Sequence, residues 1–266
     1  FKGKMMNPYD PNNQGFNPYQ APTAETYDDD YESDLLDEPN RLSAGDGMAW
    51  VGASWRIFKE RPLLWIGVFF VYMLIVGGVS VIPGIGAFAS GILGVMFMAG
   101  FAYVAYGIDM GEDVSFGDMF AGIQQAPKPL FMLWLVQFLA ALAVMVPMII
   151  VMFLTMGGIS PTSLEQGTFS PMMMLMMLVM MLFIIPIAMA TVFSPILVFF
   201  HELPAIDAMK LSFKACLRNI MPMLVFGIVM SVVGFIAMIP LGLGLLAVVP
   251  MGLISVYVMY KDILIG

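Results

Sequence analysis

With 266 residues, 60% of them hydrophobic and only 11% charged, the chain is far more apolar than a soluble domain, where roughly a quarter of residues are charged. A water-soluble globule could not cover a core of this size, so the composition demands a membrane. The formal net charge of −8 belongs to one end: residues 1–46 hold ten acids against Lys2, Lys4 and Arg41, whereas the remaining nine acids face eight bases, which excludes a basic nucleic-acid-binding body.

Residues 1–42 are rich in Pro, Asn, Asp, Gln and Tyr, carry the near-repeat Asn7-Pro8-Tyr9 and Asn17-Pro18-Tyr19, and lack apolar periodicity. Too little surface can be buried there to offset chain entropy, so 1–46 is expected to be a disordered acidic tail. Its acidic-aromatic stretch Tyr27, Asp28, Asp29, Asp30 and Tyr31 offers a docking motif for a protein partner. The polar, acidic start has neither the basic nor the apolar region of a secretory signal.

Three stretches then share one layout, an amphipathic segment ending in basic residues, a proline, and a long apolar run interrupted by a second proline. In the first, Met48, Val51, Trp55 and Phe58 step by three, four and three, which predicts an interface helix with Arg56 and Lys59 on another face. Pro62 suits the opening turn of the first span. Residues 62–108 then hold no ionisable side chain except tyrosine, enough for two spans folded back at Pro83-Gly84-Ile85-Gly86.

In the second, Phe116, Met119, Phe120 and Ile123 form an apolar stripe ahead of Lys128-Pro129. A span over 130–156 follows, with Pro147 as a kink or early break, then a polar loop at 157–170 with Glu165, then a Met-rich span ending near Phe200. The third has the cleanest interface helix: Ile206, Met209, Phe213, Leu217 and Ile220 on one face, with Asp207, Lys210, Lys214 and Arg218 on the other. Pro222 opens the fifth span, Pro240-Leu241-Gly242-Leu243-Gly244 turns the chain, and the sixth span reaches Lys261.

The expected fold is therefore an all-α membrane protein with six transmembrane helices as three hairpin repeats, at 47–112, 113–202 and 203–266, each led by an amphipathic helix. Arg56, Lys59, Arg61, Lys128, Lys210, Lys214, Arg218 and Lys261 all flank one side of that path, which the positive-inside rule makes cytoplasmic, with both termini inside.

Chemistry is scarce along the spans. They lack the intramembrane ionisable residues that mark proton-coupled transport or metal-dependent catalysis. Cys216, the sole cysteine, allows no intrachain disulfide and no paired-thiol metal site. His201 and Glu202 are adjacent, and adjacent helical residues point about 100° apart, so the pair reads as structural. The methionines of 172–181 go all round their helix and read as flexible filler in place of a Cu(I) path. Steps such as Ala87 to Gly91 and Ser90 to Gly94 read as helix packing. No cofactor or metal is expected.

Residues 55–86, with their basic-aromatic-proline lead-in and Ile82-Pro83-Gly84-Ile85-Gly86, together with 208–219 and 257–262, resemble a family of uncharacterised six-span bacterial inner-membrane proteins. More loosely, they are similar to the membrane domain attached to some glycerophosphodiester phosphodiesterases. The resemblance covers about 45–264 and implies an inner-membrane location. It implies no phosphodiesterase activity, because the clustered His and acidic metal ligands of that chemistry are missing.

Function is thus expected at the cytoplasmic rim or in a gap between hairpins. The first reading is a non-enzymatic accessory protein that binds anionic lipid headgroups, or a partner's juxtamembrane surface, through Arg56, Lys59, Arg61, Lys128, Lys210, Lys214 and Arg218. The alternative is a passive permease for an apolar or lipid-like molecule, its path lined by Gln137, Thr191 and Ser231.

Overall fold

The structure is a computed structural model that describes residues 35–36, 38–156 and 171–265. Among the described residues the fold is helical, apart from one isolated antiparallel bridge between Leu35 and Ile265. Helix α1 (Asp46–Glu60) precedes α2 (Pro62–Ser80) and α3 (Gly86–Met110). A 3-10 turn (Phe116–Phe120) and the short α4 (Ala121–Gln125) precede α5 (Pro127–Met156) and α6 (Pro171–Thr191), with α7 (Ser194–Phe200) completing that run. Helix α8 (Ala205–Arg218) precedes α9 (Ile220–Met238) and α10 (Leu245–Leu264).

Among the described residues six helical stretches are long and apolar enough to cross a bilayer: Pro62–Ser80, Gly86–Met110, Pro127–Val151, Leu178–Phe200, Ile220–Met238 and Leu245–Leu264. The shortest have 19 residues, about 28 Å at 1.5 Å per residue, which matches a hydrocarbon core of about 30 Å. The chain is a multi-pass membrane protein.

The turns after α2 and α9 are built alike. Gly84 and Gly242 take φ of 81° and 79°, the left-handed region open to glycine, and so reverse the chain within a few residues. The following Gly86 and Gly244 let the next helix start against the end of the last: a Cβ on Gly86 would lie 2.5 Å from the Val79 carbonyl oxygen, and one on Gly244 2.7 Å from Ala237. Of the two expectations for Pro147, a kink or an early break, the break does not occur, because α5 runs through it to Met156 and so covers the expected span over 130–156. Pro186 and Pro250 likewise lie inside helices.

Helix α3 is central and touches α1, α2, the 3-10 turn, α4, α5, α7 and α10. Its close approach to the segment before α5 is backbone on backbone: a Cβ on Gly100 would meet the Met119 carbonyl oxygen at 2.0 Å, and one on Gly122 the Met96 carbonyl oxygen at 2.1 Å. Of the expected packing glycines, Gly91 lies under the Trp134 indole, whereas Gly94 faces open space.

Burial is lopsided. The fully buried Trp65, Leu130, Leu133, Phe193, Ile196 and Leu197 sit in the halves of their spans nearest the basic side chains, and Phe97 and Ile254 sit near the middle of theirs. The far halves of α2, α5, α6 and α9 expose Leu74, Ile149, Phe153, Leu178 and Phe235, the surface a bilayer would cover. The packed core of this molecule is at its basic end.

Residues 35–36 and 38–42 differ from the expected disordered tail. They form a strap across that end: Leu36 N donates to Leu264 O at 3.0 Å, Asn40 N to Ile263 O at 2.8 Å, and Pro39 is buried. Asn219, fully buried at the end of α8, accepts from Leu42 N at 2.9 Å and donates to Asn40 O and Ala215 O. These backbone groups gain partners that composition alone could not reveal. The tail at 1–34, with its docking motif, and the loop at 157–170, with Glu165, lie outside the described residues.

Candidate lipid interface at the basic end

The two long amphipathic helices pack differently: α8 turns a face of small side chains inward, whereas α1 buries small and large side chains together. On α1, Gly47, Trp50, Ser54, Ile57 and Phe58 are buried, while Met48 and Trp55 of the expected apolar stripe are exposed. Gly47 carries the closest contact, since a Cβ there would lie 2.2 Å from the Pro222 carbonyl oxygen of α9. On α8, Ala208, Ser212, Ala215 and Cys216 are buried, and Ile206, Leu217 and the following Ile220 are exposed. The predicted periodicity is present, and Met48, Trp55, Ile206, Leu217 and Ile220 are left exposed, on the surface a bilayer would cover, while Trp50, Ile57 and Phe58 face the protein.

Ser212 anchors α8. Helix α6 ends at Thr191 and α7 starts at Ser194, with Pro195 unable to donate to the preceding turn. The Ser212 hydroxyl fills this gap: it accepts from Phe193 N at 3.0 Å and donates to Met189 O at 2.8 Å, replacing the direct helical bond between those groups. Cys216 Sγ also reaches Met189 O, at 3.4 Å. Burial pushes its thiol up to about 12, so it stays protonated and is a poor nucleophile.

Of the seven predicted basic site residues, five are paired with acids. Arg56 Nη2 bonds Asp109 Oδ1 at 3.0 Å, and Arg61 Nη2 bonds Asp113 Oδ1 at 3.0 Å. Lys210 reaches Asp207 at 2.9 Å, while Lys214 and Arg218 share Glu38 of the strap at 3.4 and 2.9 Å. Lys59 and Lys128 are exposed and make no ion pair among the described residues. Lys210, Lys214 and Arg218 form one ridge at four-residue spacing on α8. Arg56 and Lys59 lie on α1, Arg61 at the junction of α1 and α2, and Lys128 on α5.

The hydrogen bond from Arg218, with the charge of Lys214 beside it, holds the Glu38 carboxyl below its ordinary 4.5. Strap docking therefore favours the carboxylate: its contribution is fully present above pH 4.5 and is lost as pH falls through the lowered value. Amide exchange at Leu36 and Asn40 should lose protection on acidification through that range, and Glu38→Gln should abolish this pH dependence. A pH-dependent loss that persists in the Gln variant would assign it to another group.

Asp109, at the end of α3, is a second node that sequence reading did not single out. Its side chain is 9% exposed and takes Lys261 Nζ at 2.6 Å and Tyr257 OH at 3.3 Å in addition to Arg56. Asp262 beside it accepts from Trp50 Nε1 at 2.9 Å, which ties α1 to α10. His201 bonds Tyr260 through Nε2 at 2.5 Å, while Glu202 is exposed with φ of 50°, so the two do not converge on one point. Among the described residues no group of three His, Cys, Asp or Glu could hold a metal ion.

The three predicted pocket residues are divided. Gln137 Nε2 donates to Ser194 Oγ at 3.0 Å, and Ser194 Oγ donates to Thr191 O, which brings α5 to the α6–α7 break. Thr191 Oγ1 bonds Ala188 O of its own helix. Ser231 is exposed on α9 and bonds its own helix at Gly227 O. It shares no polar contact with the other two.

No family model, curated protein or solved structure matches this chain. Functional reading therefore rests on the geometry of the basic end.

Proposed function

We propose that this is a non-enzymatic bacterial inner-membrane protein, both termini cytoplasmic, that acts as a lipid-binding accessory through its basic interface helices. Its ligand is the anionic headgroup layer of the surrounding leaflet. The observation that carries this reading is the construction of α8. One face is fastened into the spans by Ser212, another exposes Ile206 and Leu217, and the ridge Lys210, Lys214 and Arg218 runs beside them.

Such a helix holds its cations at headgroup depth, where each is worth about 1 kcal/mol toward an anionic leaflet. Exposed ion pairs such as Lys210–Asp207 contribute about 0–1 kcal/mol, so lipid phosphate competes with them on comparable terms. Lys59 and Lys128 add cations without an acidic partner among the described residues. The recurrence of a shorter helix before each pair of long ones supports three related units.

Changing Lys210, Lys214 and Arg218 together to Gln should lower the anionic lipid retained in mild detergent several-fold and leave zwitterionic lipid unchanged, measured by mass spectrometry of the purified protein. Unchanged anionic lipid in a correctly inserted variant would overturn the proposal.

A further inference from the structure

We infer that Glu38 is an internal occupant of the α8 lipid site, its carboxylate standing between Lys214 and Arg218 where a lipid phosphate would otherwise bind. This rests on the lipid-binding reading and adds its regulation: the strap sets how much anionic lipid the surrounding leaflet must contain before α8 engages it.

The two Glu38 oxygens go to different bases, Oε1 to Lys214 Nζ at 3.4 Å and Oε2 to Arg218 Nη1 at 2.9 Å. The two unesterified oxygens of a phosphodiester can make the same pair of contacts, with Arg218 as the stronger donor. The site is open to a competitor, because the side chains of Glu38, Lys214 and Arg218 are 67%, 50% and 38% exposed.

The strap is held unevenly. Its root is clasped by buried Asn219, which bonds Leu42 and Asn40, and by the Asn40 bonds to Ile263 and Asp262. Upstream of buried Pro39, the strap is held by the two exposed ion pairs of Glu38, the single bond from Leu36 N to Leu264 O, the Leu35–Ile265 bridge and the packing of half-buried Leu35 against the core. The outer part can therefore lift while the root stays fixed. A tethered carboxylate competes at the effective concentration set by its short tether. Anionic lipid competes at the much higher surface concentration of a leaflet, in proportion to its mole fraction. Vesicle composition then decides which anion occupies the bases.

The test uses the full chain reconstituted in phosphatidylcholine vesicles with graded phosphatidylglycerol. Glu38→Gln should reach half-maximal phosphatidylglycerol retention at about five-fold lower mole fraction than the unchanged protein, the equivalent of one more available cation. In the variant already lacking Lys214 and Arg218 as bases, Glu38→Gln should change nothing. Separately, Leu35→Cys with Ile265→Cys places two thiols at the bridged pair. Their disulfide yield should fall as phosphatidylglycerol rises and should not respond to inorganic phosphate.

If the triple Gln variant of α8 loses lipid but Glu38→Gln behaves like the unchanged protein, the strap inference fails and the lipid reading stands. If the triple variant itself retains lipid, both fail. Cross-linking that responds to inorganic phosphate as strongly as to lipid would overturn the assignment to a membrane headgroup.

Discussion

Ser212→Ala should lower the stability of the protein in mild detergent by about 2–4 kcal/mol, the effect of leaving one buried amide without a partner and one carbonyl nearly so. Phe193 is fully buried, and its N–H has Ser212 Oγ as partner. The chain cannot repair the loss by closing a regular helix through 189–195. Pro195 lacks the donor for Thr191 O, which already accepts from Ser194 Oγ, and its ring crowds that carbonyl. Cys216 keeps a weak contact to Met189 O, so the larger part of the cost is at the Phe193 amide. The measurement is thermal unfolding of Ser212→Ala beside Ser231→Ala, whose hydroxyl is exposed on its own helix and should stay within about 0.5 kcal/mol. Equal small shifts in both would mean that Ser212 does not hold the break.

Ser212 also shows what was legible in the sequence. Long apolar runs and proline positions are strong signals because the bilayer imposes its thickness and demands internal hydrogen bonds, and the six long helices follow from them. The α8 periodicity was equally clear, but periodicity separates two faces without saying which medium each meets. In water the large apolar face turns inward. At a membrane rim Ile206 and Leu217 can face lipid, while Ala208, Ser212 and Ala215, small enough for close backbone approach, face the protein. The row of small residues at four- and three-residue spacing was the available signal for Ser212. The stripe Met48, Val51, Trp55 and Phe58 on α1, expected at the membrane interface, has the same ambiguity: Met48 and Trp55 are exposed, Phe58 is buried, and Trp50, outside that stripe, is fully buried.

The strap and the Asp109 node were not legible, because each depends on residues far apart in sequence. Glu38 meets bases 176 and 180 positions away, and nothing in a Pro-Asn-rich segment announces which buried amide will hold it. The core concentrated toward the basic end gives these contacts a common setting. The strap, α1 and α8 all fasten where the spans are packed, so a change in one of them works against a rigid base. The exposed far halves of the spans offer no such base.

Asp109→Ala should cost about 2 kcal/mol, less than the 3–5 kcal/mol of breaking a fully closed pair because Arg56 and Lys261 are 60% and 43% exposed and can turn to water. The carboxylate stands in the last turn of α3, where the helix dipole disfavours an anion, and is kept there by cations on two other helices. Arg56 uses one oxygen, while Lys261 and Tyr257 use the other. Removing it leaves two cations facing one another and the buried Tyr257 hydroxyl without its acceptor. A double-mutant cycle with Lys261→Met separates these effects, since the pair should be markedly less than additive if the two side chains act on each other. Strict additivity, or an Asp109→Ala shift below about 0.5 kcal/mol, would remove Asp109 as the latch between α1, α3 and α10. A positive result carries a second consequence for lipid binding. Releasing α1 frees Arg56 from its acid while loosening the helix that places Lys59, so anionic lipid retention should change far less than stability does.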